Sequence, residues 1–305
     1  MKRRDFIRKG VGVGLLSGAF PLFGGLDDVY GRPAANDYDL AAVRGGEPDA
    51  MFDRAIEAMG GISKYVKSGQ KVLVKPNIGW DAPPERAANT NPIIVRRIIE
   101  QCKEAGASEV YVFDNTCNKW DRCYKNSGIE EMVKKAGGKM VPGNTESFYK
   151  EVTIPDAVSL KKTKVHKLVL ESDVFINVPV LKHHSSTRIS LAMKNLMGVV
   201  WDRKFYHSND LNQCIADFLL FKKPDLNIID GYNMMTKNGP RGVSVADVVN
   251  LKALIASSDI VAADAAATKM FGLQPSDIGH IRIAHDMKLG NMNLEELTIS
   301  KQKIT

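Results

Sequence analysis

The segment 177–207 holds two adjacent histidines, His183 and His184, and a run of hydroxyls at Ser185, Ser186 and Thr187. It also carries Lys182, Arg188 and Lys194, and His207 closes it. Imidazole is the commonest protein metal ligand and titrates nearest neutral pH, so it suits both metal binding and proton transfer. A lysine crowded by other cations or by apolar walls loses basicity and can then act as base or nucleophile. Two readings of the segment are open. It is a solvated basic loop, or it is a metal or anion site in which His183 or His184 works with His207. His166, His280 and His285 lack such neighbours and read as surface or core residues.

Such side chains need a scaffold, and the hydrophobic pattern supplies one. Lys71–Pro76, Glu109–Phe113, Asp173–Val178, Leu226–Ile229 and Leu251–Ala256 are short apolar runs of buried-strand type. Between them, apolar residues at helical spacing predict helices over Pro48–Met59, Pro92–Cys102, Ile129–Ala136, Leu211–Phe221 and Asp259–Phe271. This alternation predicts an α/β fold: a largely parallel sheet with helices on both faces, in one body or two lobes. Ligands of such sheets gather beyond the carboxyl ends of the strands. The first strand is followed there by Lys75 and Asn77, the second by Asp114, the third by Lys182 and its neighbours, and a later one by Asp230. Taken singly, Asp and Asn at a strand end are also ordinary turn formers.

Several function classes are set aside by composition and motif. The net charge of +7 includes six basic and three acidic residues within 1–35. Removing these from 42 and 35 leaves 36 basic against 32 acidic groups, a net of +4, with no dense basic run among aromatics. Nucleic acid is therefore not an expected partner. The four cysteines, Cys102, Cys117, Cys123 and Cys214, form no CxxC pair, so neither a zinc ribbon nor an iron–sulfur cluster is encoded. Cys102 and Cys214 fall on helices as core filler. Cys117 and Cys123 flank a turn, where a disulfide and two free thiols are both open readings. No GxGxxG, GxxxxGK[ST] or GxSxG motif is present.

The N-terminus carries Arg3-Arg4 ahead of Phe6-Ile7, then a weakly apolar, glycine-rich stretch from Val11 to Phe23. That stretch is shorter than the roughly 20 residues needed to span a bilayer. A basic region followed by a short apolar one reads as a secretory signal, and the arginine pair resembles the twin-arginine consensus. The expectation is a signal and linker over 1–35 and an α/β domain over 36–305. The twin-arginine translocase would be a partner, the location periplasmic or otherwise extracytoplasmic, and no stable membrane span would remain after processing.

Val74-Lys75-Pro76-Asn77, Asn177-Val178-Pro179 with Leu181-Lys182-His183-His184, and Met193-Lys194-Asn195-Leu196-Met197-Gly198 resemble the signature blocks of the DUF362 family. Lys223-Pro224-Asp225-Leu226, Asp230-Gly231, Asn238-Gly239-Pro240 and Val261-Ala262-Ala263-Asp264-Ala265 match in the same order. The resemblance implies one family domain over most of the chain. It implies no activity, because the family is named for lacking one. Members with an added ferredoxin-like module have cysteines that this chain lacks.

More distantly, the order His184, Lys194, His207 is similar to the lactate racemase family, in which a lysine tethers a nickel-pincer nucleotide and histidines move protons or bind metal. The Gly-Gly pair before that family's lysine is replaced here by Ala192-Met193, and the second spacing is shorter.

The combined expectation is an exported enzyme, dependent on a metal or other cofactor of unknown identity, that acts on or holds a small anionic molecule. His184, His207 and Lys194 are the candidate catalytic groups. Lys75, Asn77, Lys182, Asn195, Asp114 and Asp230 are the candidate ligand-binding groups, the two aspartates orienting the imidazoles. His183, His184 and His207 are the candidate metal ligands. The alternative is a periplasmic binding or cofactor-carrier protein that does no chemistry.

Overall fold

A computed structural model describes residues 38–305. The arginine pair and apolar stretch read as an export signal lie outside these residues. Among the described residues no helix is long and apolar enough to cross a membrane.

Twelve strands are formed among the described residues. They are β1 (Leu40–Arg44), β2 (Lys71–Pro76), β3 (Glu109–Val112), β4 (Lys139–Met140), β5 (Tyr149–Thr153) and β6 (Lys162–His166). The remainder are β7 (Val174–Val178), β8 (Val180–His184), β9 (Arg188–Ser190), β10 (Leu226–Met235), β11 (Val248–Ser257) and β12 (Ile299–Lys303). One sheet takes ten of them in the order β12-β1-β11-β10-β7-β2-β3-β4, with β8 beside β10 and β9 beside β8, while β5 and β6 pair separately. The block β10-β7-β2-β3-β4 is parallel throughout, and β11 joins it antiparallel. The expected α/β fold with a mostly parallel sheet is therefore present.

Strands buried on both faces read as unbroken apolar runs, and β2 and β7 do so over Val72–Val74 and Val174–Ile176 before Lys75 and Asn177 break the pattern near their carboxyl ends. Val72, Val74, Val174 and Ile176 face one core, shared with helices Pro48–Ala58 and Pro92–Glu104. Leu73 and Phe175 face the other, shared with helices Leu211–Phe221 and Ile260–Met270. Pro92 opens its helix, where a missing N–H costs nothing, and the Asn91 side chain caps it by accepting from Ile93 N at 2.9 Å.

The order of winding decides where a ligand can sit. From β2 the chain steps outward to β3 and β4, then returns to lay β7 on the opposite side of β2 and continues to β10. The segments following β2 and β7 therefore leave toward opposite faces, which opens a crevice at their carboxyl ends.

Several parts of the fold differ from the sequence expectation. Strand β1 and the edge strand β12, which extend the sheet beyond β11, were not anticipated, nor were β4, β5 and β6. The stretch after Pro179, expected as a loop, is the hairpin β8–β9, with Lys182 opposite Ser190 and His184 opposite Arg188. The strand expected to stop at Ile229 runs on to Met235 through an irregularity at Gly231–Asn233. Asp230 is the reason that this strand survives a turn-like Asp-Gly. Its buried carboxylate accepts the N–H groups of Asn91 at 2.7 Å and Tyr232 at 3.0 Å. Asp230 thus joins the loop before helix Pro92–Glu104 to β10 and orients no imidazole. Burial pushes its carboxyl up to about 6.

All four cysteines are free; Cys117 is exposed and Cys123 is buried.

Candidate functional site

Lys75, near the end of β2, is fully buried, and its ammonium is surrounded by acceptors. Asp114 Oδ1 lies 2.9 Å away, the Asn195 backbone oxygen 2.7 Å and Asn195 Oδ1 2.9 Å. Two of the ammonium's three hydrogens are donated to Asn195, and Asp114 Oδ1 neutralises its charge at ion-pair distance. Burial lowers the Lys75 pKa, with Asp114 acting in the opposite sense. The second oxygen of Asp114 accepts Ile78 N at 2.7 Å. Lys75 and Asp114, expected to bind ligand and to orient a histidine, instead hold each other, and they tie the end of β2 to the end of β3.

From this pair a line of side-chain amides crosses the sheet. Lys182 Nζ donates to Asn77 Oδ1 at 3.0 Å, and Asn77 Nδ2 to Asn195 Oδ1 at 3.0 Å. Asn195 Nδ2 donates to Asn177 Oδ1 at 2.9 Å, and Asn177 Nδ2 to Asn227 Oδ1 at 3.1 Å. Asn227 Nδ2 ends the line on the Ser257 carbonyl at 3.4 Å. Every donor points the same way, so each amide orientation is fixed by the next, and aligned bonds of this kind polarise one another. Asn77 can therefore show Lys182 only an acceptor. A second acceptor for Lys182 is the Ala88 carbonyl. Burial lowers the Lys182 pKa to about 7, so a large fraction of this amine is uncharged at neutral pH.

A short helix, Ala192–Asn195, brings in Lys194 and Asn195. Asp264, on helix Ile260–Met270, fixes its start by accepting Ala192 N at 2.7 Å and Met193 N at 3.0 Å. The Lys194 amine meets only the Met197 sulfur, at 3.1 Å, which is a weak acceptor. Burial, reinforced by Arg203 and Lys75, lowers its pKa to about 8 despite the opposing influence of Cys117. Arg203 and His207 lie on the next helix, Arg203–Ser208, which Asp202 caps. Arg203 donates to the carbonyls of Asn115 at 2.8 Å and Thr116 at 2.7 Å. It also reaches Cys117 Sγ at 3.2 Å. His207 is exposed at the rim, and its pKa is lowered by partial desolvation, then by Lys194 and Arg203.

The adjacent histidines face different surroundings. His183 Nδ1 accepts the Gly239 N–H at 3.1 Å, and His183 is not part of the cleft wall. His184 is buried, and its Nδ1 accepts the Ser186 N–H at 3.0 Å. A neutral ring with an accepting Nδ1 carries its proton on Nε2. In this arrangement neither nitrogen of His184 or His183 offers a lone pair to a metal, which needs the non-coordinating nitrogen to be the donor. Burial first, then Lys194 and Lys182, lower the His184 pKa to about 3. The ring is thus neutral near pH 7 and acts as a hydrogen-bond donor rather than a proton acceptor. Among the described residues no group of three His, Cys, Asp or Glu side chains is placed to hold a metal ion. The expectation of His183, His184 and His207 as a ligand set therefore has no geometric counterpart.

What does converge is a cleft of about 570 Å³ at the switch point, of the size that takes small molecules. His184, Lys194 and His207 all line it, together with Lys75, Asn77, Lys182, Asn195 and Asp114. Asp230, His183 and Arg188 do not; Arg188 is exposed and turns toward Asp277, 3.6 Å away. Arg203, Lys204, Cys117 and Pro240 also line it; Arg203 and Lys204 were not singled out from the sequence, and Cys117 and Pro240 were named there without a site role. Arg203 lay inside the basic segment and could have been counted with it. Five Lys and Arg side chains line the cleft against one carboxylate, Asp114, which Lys75 already holds. The cleft wall is strongly cationic.

The fold and cleft define an α/β protein of the doubly wound kind with a cationic site at its switch point. The chain belongs to the family whose model is described as a domain of unknown function, DUF362, which matches residues 72–269. It is similar to the thylakoid-associated protein sll1697 of Synechocystis sp. The two are 27% identical over 258 residues, covering 82% of this chain and 77% of that protein. Among solved structures it is similar to the lactate racemase apoprotein of Thermoanaerobacterium thermosaccharolyticum, at 12% identity and a TM-score of 0.47. That match covers 73% of this chain and 55% of the solved chain, so this protein spans little more than half of that structure's length.

Proposed function

We propose that this protein is an enzyme that binds a small anion, a carboxylate or phosphate ester, in the switch-point cleft and exchanges a proton with it. Lys194 and Arg203 neutralise the anion, and the Nε2–H of His184 donates to it. The Lys182 amine, partly uncharged near pH 7, is the proton acceptor, while Lys75 and Asp114 brace the floor. The observation that carries this reading is the imbalance of charge: Lys194, Arg203 and Lys204 line a cleft whose one carboxylate, Asp114, is already engaged by Lys75.

Calorimetric titration with inorganic phosphate and with pyruvate tests it. Each is expected to bind, and Arg203→Gln or Lys194→Gln should weaken binding about tenfold, the loss of one hydrogen bond to a charged group. Absence of binding by both anions would overturn it. The rival reading, a binding or cofactor-carrier protein without turnover, is favoured by one observation. The His184 ring stays neutral and its Nδ1 is occupied by Ser186 N–H, so no histidine base stands in the buried part of the cleft.

We place this activity outside the cytoplasm on the strength of Arg3-Arg4 and the apolar stretch that follows. Cell fractionation of the Arg3→Lys/Arg4→Lys variant checks this. Retention of the variant in the cytoplasm is expected, and unaltered export would refute it.

A further inference from the structure

Lys75, Lys182 and Lys194 share one cleft but differ in how their nitrogens are held. The Lys75 nitrogen is held by two acceptors on Asn195 and by the charge of the Asp114 carboxylate. The Lys194 nitrogen has one weak sulfur partner and no carbonyl or amide to fix its direction. The Lys182 nitrogen lies between them, with two neutral acceptors, Asn77 Oδ1 and the Ala88 carbonyl.

An uncharged amine has two hydrogens and one lone pair. Two fixed acceptors take the two hydrogens, and the lone pair is left in the remaining direction. The acceptors cannot exchange roles. The Ala88 oxygen is backbone, and Asn77 is locked by its donation to Asn195, which is locked in turn by Asn177 and Asn227. The amide line therefore serves as a clamp on the orientation of one nitrogen, whose side chain lines the cleft. A proton acceptor alone would not need its lone pair fixed from four residues away. A nucleophile attacking a carbonyl carbon along one direction does.

We propose that the cleft takes a small 2-oxo acid and that Lys182 condenses with its carbonyl group to form an imine. This rests on the anion-binding reading above and names its substrate class. A carboxylate next to a ketone or aldehyde presents a charge for Lys194 and Arg203 and an electrophilic carbon one bond away. The Lys182 lone pair forms the C–N bond as the carbonyl π pair moves to oxygen. The nitrogen gives up one proton, the oxygen takes one, and the product is a carbinolamine. Its hydroxyl leaves as water after taking a second proton from the Lys194 ammonium, and the nitrogen lone pair closes the C=N bond as an iminium. Hydrolysis reverses the sequence, and no oxidant or reductant is required. The His184 Nε2–H donates to the oxygen as it gains charge.

Incubation of the full chain with pyruvate and borohydride, followed by peptide mass mapping, tests this. The expected result is a carboxyethyl group on Lys182 in preference to the exposed lysines, suppressed by inorganic phosphate. Lys182→Met should lose the adduct, whereas Lys194→Gln should keep it at a reduced rate. Label spread evenly over surface lysines, or placed on Lys194 with Lys182 clean, would overturn the proposal. The mapping of the unaltered chain decides the matter even if Lys182→Met does not fold. Calorimetric binding of pyruvate and phosphate without an adduct would remove the imine and leave the anion site standing. Absence of binding would remove both.

Discussion

Gly198 lies directly against the carboxylate of Asp114. A β-carbon there would overlap Asp114 Oδ1 and the Lys75 amine, and it would come within 2.8 Å of Lys75 Cε. The Gly198 carbonyl also accepts Asn115 N at 2.9 Å, so its backbone cannot retreat freely. Glycine is required here by close approach, not by an unusual backbone angle. Gly198→Ala should force the buried pair apart. Separating buried opposite charges costs about 3–5 kcal/mol, a loss that urea denaturation would register. The double variant Lys75→Met/Asp114→Leu should cost less than Asp114→Leu alone, since it leaves no unpaired charge. Equal stability of Gly198→Ala and the parent chain would show that the pair is not held as described.

Much of the scaffold was legible in the sequence because β2, β7 and the helices around them obey simple periods. Val72–Val74 and Val174–Ile176 are apolar without interruption, and Pro92 with Asn91 marks a helix start. The convergence of His184, Lys194 and His207 on one cleft was also legible, from their spacing within one segment. The partners of each group were not. Sequence could not reveal that Asp114 would face Lys75 rather than a histidine, because their pairing depends on β2 and β3 lying side by side in register. Nor could it reveal that both adjacent rings turn Nδ1 to backbone N–H groups, since that depends on the hairpin at Ser186 and the approach of Gly239. Asp230-Gly231 reads locally as a turn, and only the distant Asn91 N–H makes it part of a strand.

Anion binding should weaken as pH rises through about 7 to 8, because Lys182 and Lys194 lose their charges there rather than near 10.5. Calorimetry with inorganic phosphate is complicated by that ligand's own titration near pH 7, so sulfate is the better probe. Acylation of Lys182 should show the opposite trend, rising to a plateau near pH 8. Stability follows the same shift. For a lysine whose pKa is lower in the folded state, the unfolded chain binds more protons between about 7 and 10.5. The contribution of Lys182 to stability therefore increases with pH across that window and is flat below it. A Lys182 acylation midpoint near 10 would contradict the burial argument.

His184 should not titrate between pH 4 and 8, since burial and the neighbouring cations hold its pKa near 3. Nitrogen NMR of labelled protein should show an unprotonated Nδ1 and a protonated Nε2 across this range. Added zinc or nickel should leave those resonances in place, because metal binding through Nε2 would require surrender of the Ser186 N–H bond. A metal-induced shift of His184 together with His207 would restore the metal site expected from sequence. His184→Gln, which keeps a donor, should retain more sulfate binding than His184→Ala.

The amide line predicts a gradient of effects that depends on position rather than on residue type. Asn195 is its hub. Asn195→Leu would take an acceptor from Lys75 and strand the amide donors of Asn77 and the Asn177 oxygen. Each stranded buried group costs about 1–3 kcal/mol, so the total should be roughly 3 kcal/mol or more. Asn227→Leu removes the far end of the same line. Asn177 then keeps a second acceptor in the Ala192 carbonyl at 3.0 Å, and the expected loss is about 1 kcal/mol. If the line clamps Lys182, Asn227→Leu should still slow the borohydride-trapped labelling of Lys182 while leaving sulfate affinity unchanged, although Asn227 does not line the cleft. A purely structural role for Asn227 would lower stability and leave the labelling rate of the folded protein as it was. Equal stability losses at Asn195 and Asn227 would mean that the amides act as independent pairs and not as one polarised chain.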